Sequence, residues 1–316
     1  MLYKAFIVDA FTAVRFAGNQ AAKLSDTQYQ KLGAEFNLSE TAIPIPLDGG
    51  SWETAKTFSL RWFTPTVEVN LCGHATLATA HVLLNEISEF SSLKSSIISI
   101  PENKNEEIVF LTLSGELRVK KSDKGLILDF PAFSKTTYFS TKRFKHNNEP
   151  EDPLVNEIVE ILVPHLSPIQ ACLYTECKKL LIVLDPETTQ DQLLSITHNA
   201  EKLLKVHDGS KIRGVVITLF PKDAKKQGFF DSEGKAYDYI SRYFAPWAGI
   251  NEDPATGSSQ CALGPFWAKE KNHNGPFYAF QCYPGRGAQF KVSFPTPGRI
   301  NVEGEVVTIL RGEIEL

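Results

Sequence analysis

Short hydrophobic runs recur along the whole chain, separated by glycine, proline or charged residues. Most are rich in Val, Ile, Phe and Leu and too short for helices, which is the pattern of β-strands. We predict strands over residues 3–8, 58–63, 97–100, 108–112, 116–120, 125–129, 180–184, 215–220, 278–281, 289–294 and 306–310. Helical spacing is rarer, and we predict helices over residues 27–36, 75–85, 154–162, 189–202 and 258–271. Because strands and helices do not alternate regularly, the pattern favours an α+β protein over a doubly wound sheet or a TIM barrel.

One sequence pattern occurs twice. Arg61-Trp62-Phe63-Thr64-Pro65 recurs 181 residues later as Arg242-Tyr243-Phe244-Ala245-Pro246, and Asn70 recurs as Asn251 at the same offset. In both copies an extended strand, a proline turn and a short loop lead into a helix of small residues. We interpret this order as an internal duplication.

The chain length agrees with two domains, because domains average roughly 150 residues and the chain has 316. The polar residues 134–153 are the best candidate for a linker. We therefore predict a first domain over 1–133 and a second over 154–316, whose terminal strand could return to the first. Gly264-Pro265 is expected to kink or interrupt the second small-residue helix.

Composition narrows the classes of function. Hydrophobic residues make up 42% and charged residues 22%, as in a globular rather than a disordered protein. The net charge of −4 gives no electrostatic reason to bind nucleic acid or an anionic membrane. No apolar run approaches the ~20 residues of a membrane helix. Five cysteines without framework spacing, and no signal peptide, predict a reducing, cytoplasmic location.

Two glycine-containing loops lead into the small-residue helices. Gly73 and Gly257, the latter followed by Ser258, stand where backbone N–H groups and the helix dipole attract anions. If both helix ends face one ligand, a small carboxylate is the natural occupant. Ordinary helix capping would explain the same residues, but the recurrence of the loop favours an anion site.

Three residues are candidates for acid/base chemistry. Glu40 lies between Leu38 and the apolar Ala42-Ile43, where partial desolvation would make it a usable proton donor or acceptor. An exposed surface role is the commoner interpretation of such a glutamate. His74 begins the first helix, where the dipole disfavours the imidazolium, so we expect a neutral donor or proton relay. Asp253 either hydrogen-bonds a ligand or orients His74, or it only caps its own turn.

The sequence gives no sign of a cofactor or a metal. Glycine-rich nucleotide loops, the H-E-x-x-H zinc motif and the G-x-S-x-G nucleophile motif are absent. Cys72 precedes the first helix, but Asp253 occupies its matching position in the second copy. A two-thiol racemase is therefore not favoured, and Cys72 is interpreted as a small buried residue. Two classes of function remain: acid/base catalysis without a cofactor, and binding of a ligand without catalysis.

Six motifs follow one another along the chain. They are Val8-Asp9-Ala10-Phe11-Thr12, Phe16-Ala17-Gly18-Asn19, Ser39-Glu40-Thr41-Ala42, Phe63-Thr64-Pro65, Cys72-Gly73-His74-Ala75-Thr76-Leu77-Ala78 and Glu252-Asp253-Pro254-Ala255-Thr256-Gly257-Ser258. Together they resemble the PhzF, or phenazine-biosynthesis-like, family over nearly the whole chain. Segments 61–65, 113–117 and 241–247 resemble the animal branch of that family more narrowly.

The resemblance implies a diaminopimelate-epimerase-like fold. That fold has two pseudo-symmetric domains, each a curved β-sheet around a central helix, with the active site in the cleft between them. In PhzF a glutamate isomerises dihydro-hydroxyanthranilate without a cofactor, by moving a proton between two ring carbons. The resemblance places that glutamate at Glu40.

The resemblance also implies the remaining site residues. The site histidine and aspartate fall on His74 and Asp253. The expected substrate-binding residues are Asn19, Cys72, Gly73, Thr256, Gly257 and Ser258, with the carboxylate donors at Gly73 and at Gly257-Ser258.

These observations leave three hypotheses. The first is a cofactor-independent isomerase of a small carboxylic acid, binding neither nucleic acid nor membrane. The second is a binding or regulatory protein with a protein partner, on an inherited enzyme fold. The third is an epimerase or racemase that uses Cys72 with a non-thiol partner. The resemblance adds the expectation of a homodimer.

Overall fold

The computed structural model describes residues 2–12, 26–87, 105–147 and 149–315. The predicted strand at 97–100 and the candidate residue Asn19 lie outside these residues. The chain divides into two compact units, one formed by Met1–Phe130 with Asn301–Leu316 and the other by Pro131–Ile300. Residues 134–153 thus belong to the second unit, and the last strand belongs to the first.

Strands dominate the described chain. In chain order they are β1 (Leu2–Ala10), β2 (Thr41–Pro46), β3 (Thr57–Phe63), β4 (Glu68–Val69), β5 (Glu107–Thr112), β6 (Gly115–Lys121), β7 (Leu126–Pro131), β8 (Thr136–Phe139), β9 (Pro168–Tyr174), β10 (Lys179–Leu184), β11 (Gly214–Leu219), β12 (Tyr239–Ala245), β13 (Ile250–Asp253), β14 (Phe277–Tyr283), β15 (Arg286–Ser293), β16 (Arg299–Gly304) and β17 (Val306–Glu315).

Helices are fewer and mostly short. They are α1 (Asp26–Phe36), α2 (Gly73–His81), α3 (Pro153–Leu162), α4 (Gln190–Leu194), α5 (Ala200–Val206) and α6 (Gln260–Lys271). A π-helical turn, Val82–Glu86, continues α2, and 3₁₀ turns occupy Pro246–Ala248 and Gly257–Ser259. Within the described ranges, no helix has the length and apolar character needed to span a membrane.

The first unit builds a sheet around α2. Its strands lie in the order β2-β3-β5-β6-β7, with β3 and β5 parallel, and β1 pairs with β17 in a separate antiparallel ribbon. Every residue of α2 from Gly73 to Ala80 is buried. Thr76 and Thr79 fit this core because their hydroxyls donate to the carbonyls of Cys72 and Ala75, at 2.5 and 2.7 Å. The small-residue sequence thus produces a helix enclosed on all sides.

The second unit has its own apolar core. Strands β10 and β11 are parallel and buried along their whole length, and α3 packs Val155, Ile158 and Val159 into the same core. The single helix predicted over 189–202 is wrong. The chain forms α4 and α5 instead, because Asn199 adopts a left-handed backbone conformation at φ 44° between them.

Helix α6 runs continuously through Pro265, so the predicted interruption is wrong. A proline inside a helix leaves the carbonyl four residues earlier without its usual donor. Here that carbonyl belongs to Cys261, and it accepts the backbone N–H of Phe133 at 2.8 Å. The preceding Gly264 admits Ile300, whose Cδ1 would lie 2.5 Å from a β-carbon at that position. Neighbouring backbone and side chains therefore fill the space that Gly264-Pro265 creates.

The duplicated sequence pattern corresponds to a repeated order and pairing of strands. Strands β11-β12-β14-β15 of the second unit follow the order and pairing of β2-β3-β5-β6. In each copy the repeated arginine lies over the repeated phenylalanine: Arg61 Cζ is 5.1 Å from the Phe63 ring centroid, and Arg242 Cζ is 5.1 Å from that of Phe244.

The offset of 181 residues holds only as far as the repeated strand. Arg61 pairs with Glu68, whereas Arg242 pairs with Glu252, so the second copy has three additional residues between the two partners. The ungapped match of Cys72 with Asp253 is therefore wrong. The residue that stands at the N-cap in the second copy, as Cys72 does in the first, is Thr256.

Candidate active site

Glu40 is buried in the first unit. It lies directly before β2, whose residues Thr41 to Ile43 are also buried, and only 6% of Glu40 is exposed. The strand therefore carries the carboxylate into the interior. Sequence reasoning alone favoured an exposed surface glutamate, and that interpretation is wrong.

His74, the second residue of α2, meets this carboxylate. Its Nε2 lies 2.9 Å from Oε2 of Glu40, and both side chains are almost completely buried. The contact is an ion pair rather than an aligned hydrogen bond, and Oε2 has no hydrogen-bond partner among the described residues. A buried carboxylate oxygen without a hydrogen bond is a strong acceptor for a proton that a ligand brings.

The environment of His74 favours its charged form. Burial disfavours the imidazolium, but Cys72 and Glu40 beside the ring outweigh burial and hold the pKa of His74 well above its ordinary value. The helix-dipole argument from the sequence predicted a neutral ring. That prediction is wrong because Cys72 and the Glu40 carboxylate, the latter at 2.9 Å, together act more strongly on the ring than the partial charge of a helix end.

Cys72 precedes α2 and completes the cluster. Its sulfur lies 3.6 Å from both ring nitrogens of His74, within hydrogen-bonding distance for sulfur. Burial, together with the charge of Glu40, raises the pKa of the Cys72 thiol to about 11. Cys72 is therefore a protonated thiol at neutral pH, which makes it a poor base.

Glu40, Cys72 and His74 also form a donor set that a metal ion could use. One ligand atom from each lies within 4.8 Å of the others, and carboxylate, thiolate and imidazole are all ligands of zinc. A metal would have to displace the thiol proton and one proton of the imidazolium. The cluster can thus accept a soft divalent ion only in competition with two protons.

Asp253 organises a buried loop in the second unit. Its Oδ2 accepts the hydroxyl of Thr256 at 2.6 Å, and its carbonyl accepts the side-chain amide of Gln281 at 2.5 Å. Gln281 in turn accepts the backbone N–H of Thr256 at 2.8 Å. These bonds agree with the capping interpretation of Asp253, and its contact with a ligand stays a prediction. Sequence reasoning missed Gln281 because a lone glutamine on a strand belongs to no motif.

The turn after Thr256 holds the other predicted residues of this unit. Gly257 and Ser258 form the 3₁₀ turn that leads into α6, and Oγ of Ser258 accepts a hydrogen bond from Nζ of Lys179 at 2.9 Å. Lys179 was also missed by sequence reasoning, since it stands alone at the start of β10.

The predicted site residues thus form two groups. Glu40, Cys72, Gly73 and His74 lie together in the first unit, and Asp253, Thr256, Gly257 and Ser258 lie together in the second. A single site made from both groups stays a prediction. So does the role of Asn19.

The family comparison agrees with these two groups. Residues 8–312 match the model of the family described as PhzC-PhzF, phenazine biosynthesis-like protein. The chain belongs to this family. Both groups of site residues fall inside the matched segment.

Full-length relatives occur in animals and bacteria. The human phenazine biosynthesis-like domain-containing protein is 35% identical over 98% of each chain, as is mouse phenazine biosynthesis-like domain-containing protein 1. A Halalkalibacterium halodurans protein named an uncharacterized isomerase is 33% identical over 98% of each chain. The narrower resemblance to the animal branch is thereby confirmed.

Solved structures confirm the fold. A PhzF-family phenazine biosynthesis protein from Enterococcus faecalis superposes with a TM-score of 0.73 at 29% identity, over 100% of each chain. A predicted epimerase from Pseudomonas aeruginosa, at 18% identity and a TM-score of 0.62 over 98% of each chain, shares the fold alone. The expected α+β, epimerase-like fold is therefore correct.

Proposed function

We propose that this protein is a cofactor-independent isomerase that moves a proton between two carbons of a small carboxylic acid. Membership of the PhzF family and the bacterial relatives named isomerases support an isomerase. The observation that carries the proton-transfer chemistry is the buried Glu40 carboxylate, whose Oε2 lies 2.9 Å from His74 and has no hydrogen-bond partner among the described residues.

Glu40 acts as both base and acid in this proposal. Its carboxylate takes a proton from an activated C–H group, and the electron pair left on carbon is delocalised toward the substrate carboxylate. The protonated Glu40 then returns the proton to a different carbon, which shifts a double bond and restores the enzyme. No electrons or other groups are exchanged, so the cycle needs no redox cofactor.

The neighbouring groups stabilise charge at each step. The imidazolium of His74 lies beside the Glu40 carboxylate and compensates the negative charge that develops on the substrate. Backbone N–H groups at Gly73, the first residue of α2, would receive that developing charge. In the same proposal, the substrate is also held by the Gly257–Ser258 turn, as a second anion-binding element, and by the Asp253 loop.

Isomerisation in deuterated water tests this function. The substrates are dihydro-hydroxyanthranilate and a panel of other small unsaturated carboxylic acids, followed by NMR. We expect solvent deuterium at the carbon that receives the proton, because the Glu40 carboxyl exchanges with solvent between turnovers. Glu40→Gln should lose roughly 10²–10⁴-fold in rate, which is the usual contribution of general acid/base catalysis.

Glu35→Gln is the matched control, since Glu35 is exposed and lies five residues before Glu40. It should retain the wild-type rate. Undiminished exchange in Glu40→Gln would remove Glu40 from the mechanism. A wild-type protein that is inert toward the whole panel would favour a binding protein instead.

A further inference from the structure

One lysine of the second unit is buried where the function described above gives it no role. Among the lysines that the structure describes, Lys179 is the only buried one, with 6% of the residue exposed. It is the first residue of β10, and its ammonium reaches the turn that begins α6. A buried lysine is uncommon because its charge loses hydration.

The protein only partly compensates this charge. Nζ donates to Oγ of Ser258 at 2.9 Å and lies 5.2 Å from the centroid of the Tyr243 ring, within range of a cation–π contact. In the part of the chain that the structure describes, Lys179 has no carboxylate oxygen within the 4.0 Å of an ion pair. An ammonium has three donors, and the described residues accept from one of them.

The residues around Lys179 hold its ammonium group in this position. In the parallel pair of β10 and β11, Lys179 lies opposite Gly214. A β-carbon at Gly214 would lie 2.3 Å from the hydroxyl of Tyr243, so only glycine lets the tyrosine ring extend beside the lysine. Three strands therefore cooperate to place one cation at the turn.

The turn itself adds donors of the same kind. Gly257–Ser259 leads into the twelve residues of α6, and within this turn the N–H groups of Ser259 and Gln260 donate to the carbonyls of Thr256 and Gly257. The N–H groups at the start of the turn, those of Gly257 and Ser258, are the ones that a helical turn leaves without a partner of its own. The Ser258 hydroxyl accepts from Lys179, so its own proton remains to donate. An ammonium, a hydroxyl and helix N–H groups all donate hydrogen bonds, and together they favour an anion.

We propose that Lys179 supplies the counter-charge for the ligand carboxylate that the Gly257–Ser258 turn is expected to receive. The inference rests on the proposed carboxylate substrate and names the side chain that recognises its charge. A carboxylate accepts from several donors at once and neutralises an ammonium that is otherwise buried at a cost in free energy.

Binding of benzoate and of benzamide to the full-length protein tests this inference. The two probes have nearly the same shape, and only benzoate carries a charge. We expect the wild-type protein to prefer benzoate in calorimetric titrations. Lys179→Met should weaken benzoate binding roughly 10- to 100-fold, the usual effect of losing a charge-assisted hydrogen bond, and should leave benzamide binding unchanged.

Three further variants separate recognition of charge from structural damage. Lys178→Met removes the same charge from the exposed neighbouring residue and should bind benzoate like the wild type. Lys179→Arg should restore part of the affinity, and Ser258→Ala should lose part of it. The melting temperature of unliganded Lys179→Met should not fall, because the variant removes a buried charge that no carboxylate pairs with.

Each result decides between the inference and its rejection. Equal affinity of the wild type for benzoate and benzamide, including no measurable binding of either, overturns it. The inference is also overturned if Lys179→Met binds benzoate as tightly as the wild type does. The same holds if this variant melts at a lower temperature and loses affinity for benzoate and benzamide equally. Lysine-dependent benzoate binding without deuterium exchange on any acid would support the inference while the isomerase proposal fails. Deuterium exchange that depends on Glu40, together with an unchanged KM in Lys179→Met, would support the isomerase proposal and overturn the inference about Lys179.

Discussion

The charge on His74 depends on the groups that surround its ring. Burial opposes the imidazolium, and the Cys72 and Glu40 side chains favour it. Because the Cys72 thiol is protonated at neutral pH, its pKa being raised to about 11, the Glu40 carboxylate is the neighbour that supplies negative charge there. The pair therefore acts as a unit, and a change at Glu40 should be visible at His74.

We expect Glu40→Gln to lower the pKa of His74. Removing the carboxylate removes the charge that stabilises the imidazolium and leaves burial, which favours the neutral ring. NMR titration of the histidine ring carbons measures this, with His74→Gln used to assign the signal. The same titration midpoint in the wild type and in Glu40→Gln would mean that the carboxylate does not act on the ring.

The raised pKa of His74 also gives the stability of the pair a defined pH dependence. An unfolded histidine titrates near about 6.5. Because the folded pKa is higher, the stabilisation is complete below that value and is lost as the pH rises through the folded pKa. The difference in unfolding free energy between the wild type and Glu40→Gln should therefore shrink at alkaline pH. A difference in unfolding free energy that grows as the pH rises would contradict this expectation.

The repeated strand-to-helix element contains one arginine–glutamate ion pair in each copy. Arg61 with Glu68 and Arg242 with Glu252 have the same Nε to Oε1 distance of 2.7 Å. Burial differs, since the side chains of the first pair are 33% and 26% exposed and those of the second pair 1% and 9%. The guanidinium of Arg242 also donates to the carbonyls of Leu193 and Ile196, which ties β12 to the end of α4.

This difference in burial predicts unequal costs for the same substitution. Glu252→Gln leaves the Arg242 charge buried without a carboxylate, which should lower the free energy of unfolding by about 3–5 kcal/mol. Glu68→Gln breaks a partly exposed pair and should cost about 0–1 kcal/mol. Urea denaturation measures both, and each variant is the matched control of the other. Equal losses would show that burial does not set the strength of these pairs.

Sequence reasoning worked where one local pattern decides the structure. Helix α2 follows from a run of small residues, and β10 and β11 follow from continuous apolar runs. It predicted no strand over β2, where Pro44 and Pro46 interrupt the usual pattern of a strand. The sheet tolerates both prolines since β2 is an edge strand, where one row of backbone N–H groups needs no partner.

The residues of the candidate site differ in the same way: a local motif reveals some of them, and only a long-range contact reveals the others. Glu40, His74 and the Gly257–Ser258 turn stand in motifs, so the sequence identified them. Lys179 and Gln281 are single residues on strands that are distant in sequence from the turn they contact, and only the sheet register brings them there. The ionisation of His74 was mispredicted because Cys72 and Glu40 both act on its ring, and Glu40 stands 34 residues earlier in the chain.

At the scale of the whole molecule, two distant segments of the chain build the first unit. Residues 2–10 pair with residues 306–315 along the full length of β1 and β17. The pairing also secures the end of α2 and the π-helical turn that continues it, because His81 Nε2 lies 3.1 Å from the Thr308 hydroxyl and Arg311 forms an ion pair with Glu86. The second unit is continuous in sequence, and its core consists of its own residues.

Deleting residues 306–316 should therefore act on the first unit selectively. The deletion removes the partner of β1 and both contacts to the end of α2, so hydrogen exchange of the β1 amides should become faster by roughly tenfold or more. Amides of β10 and β11 lie in the core of the second unit and provide an internal control that should keep its protection. Exchange mass spectrometry on the deleted and full-length chains measures both sets in one experiment. Loss of protection in β10 and β11 to the same degree would mean that the two units unfold as one cooperative body, whereas full protection of β1 would mean that β17 does not hold it.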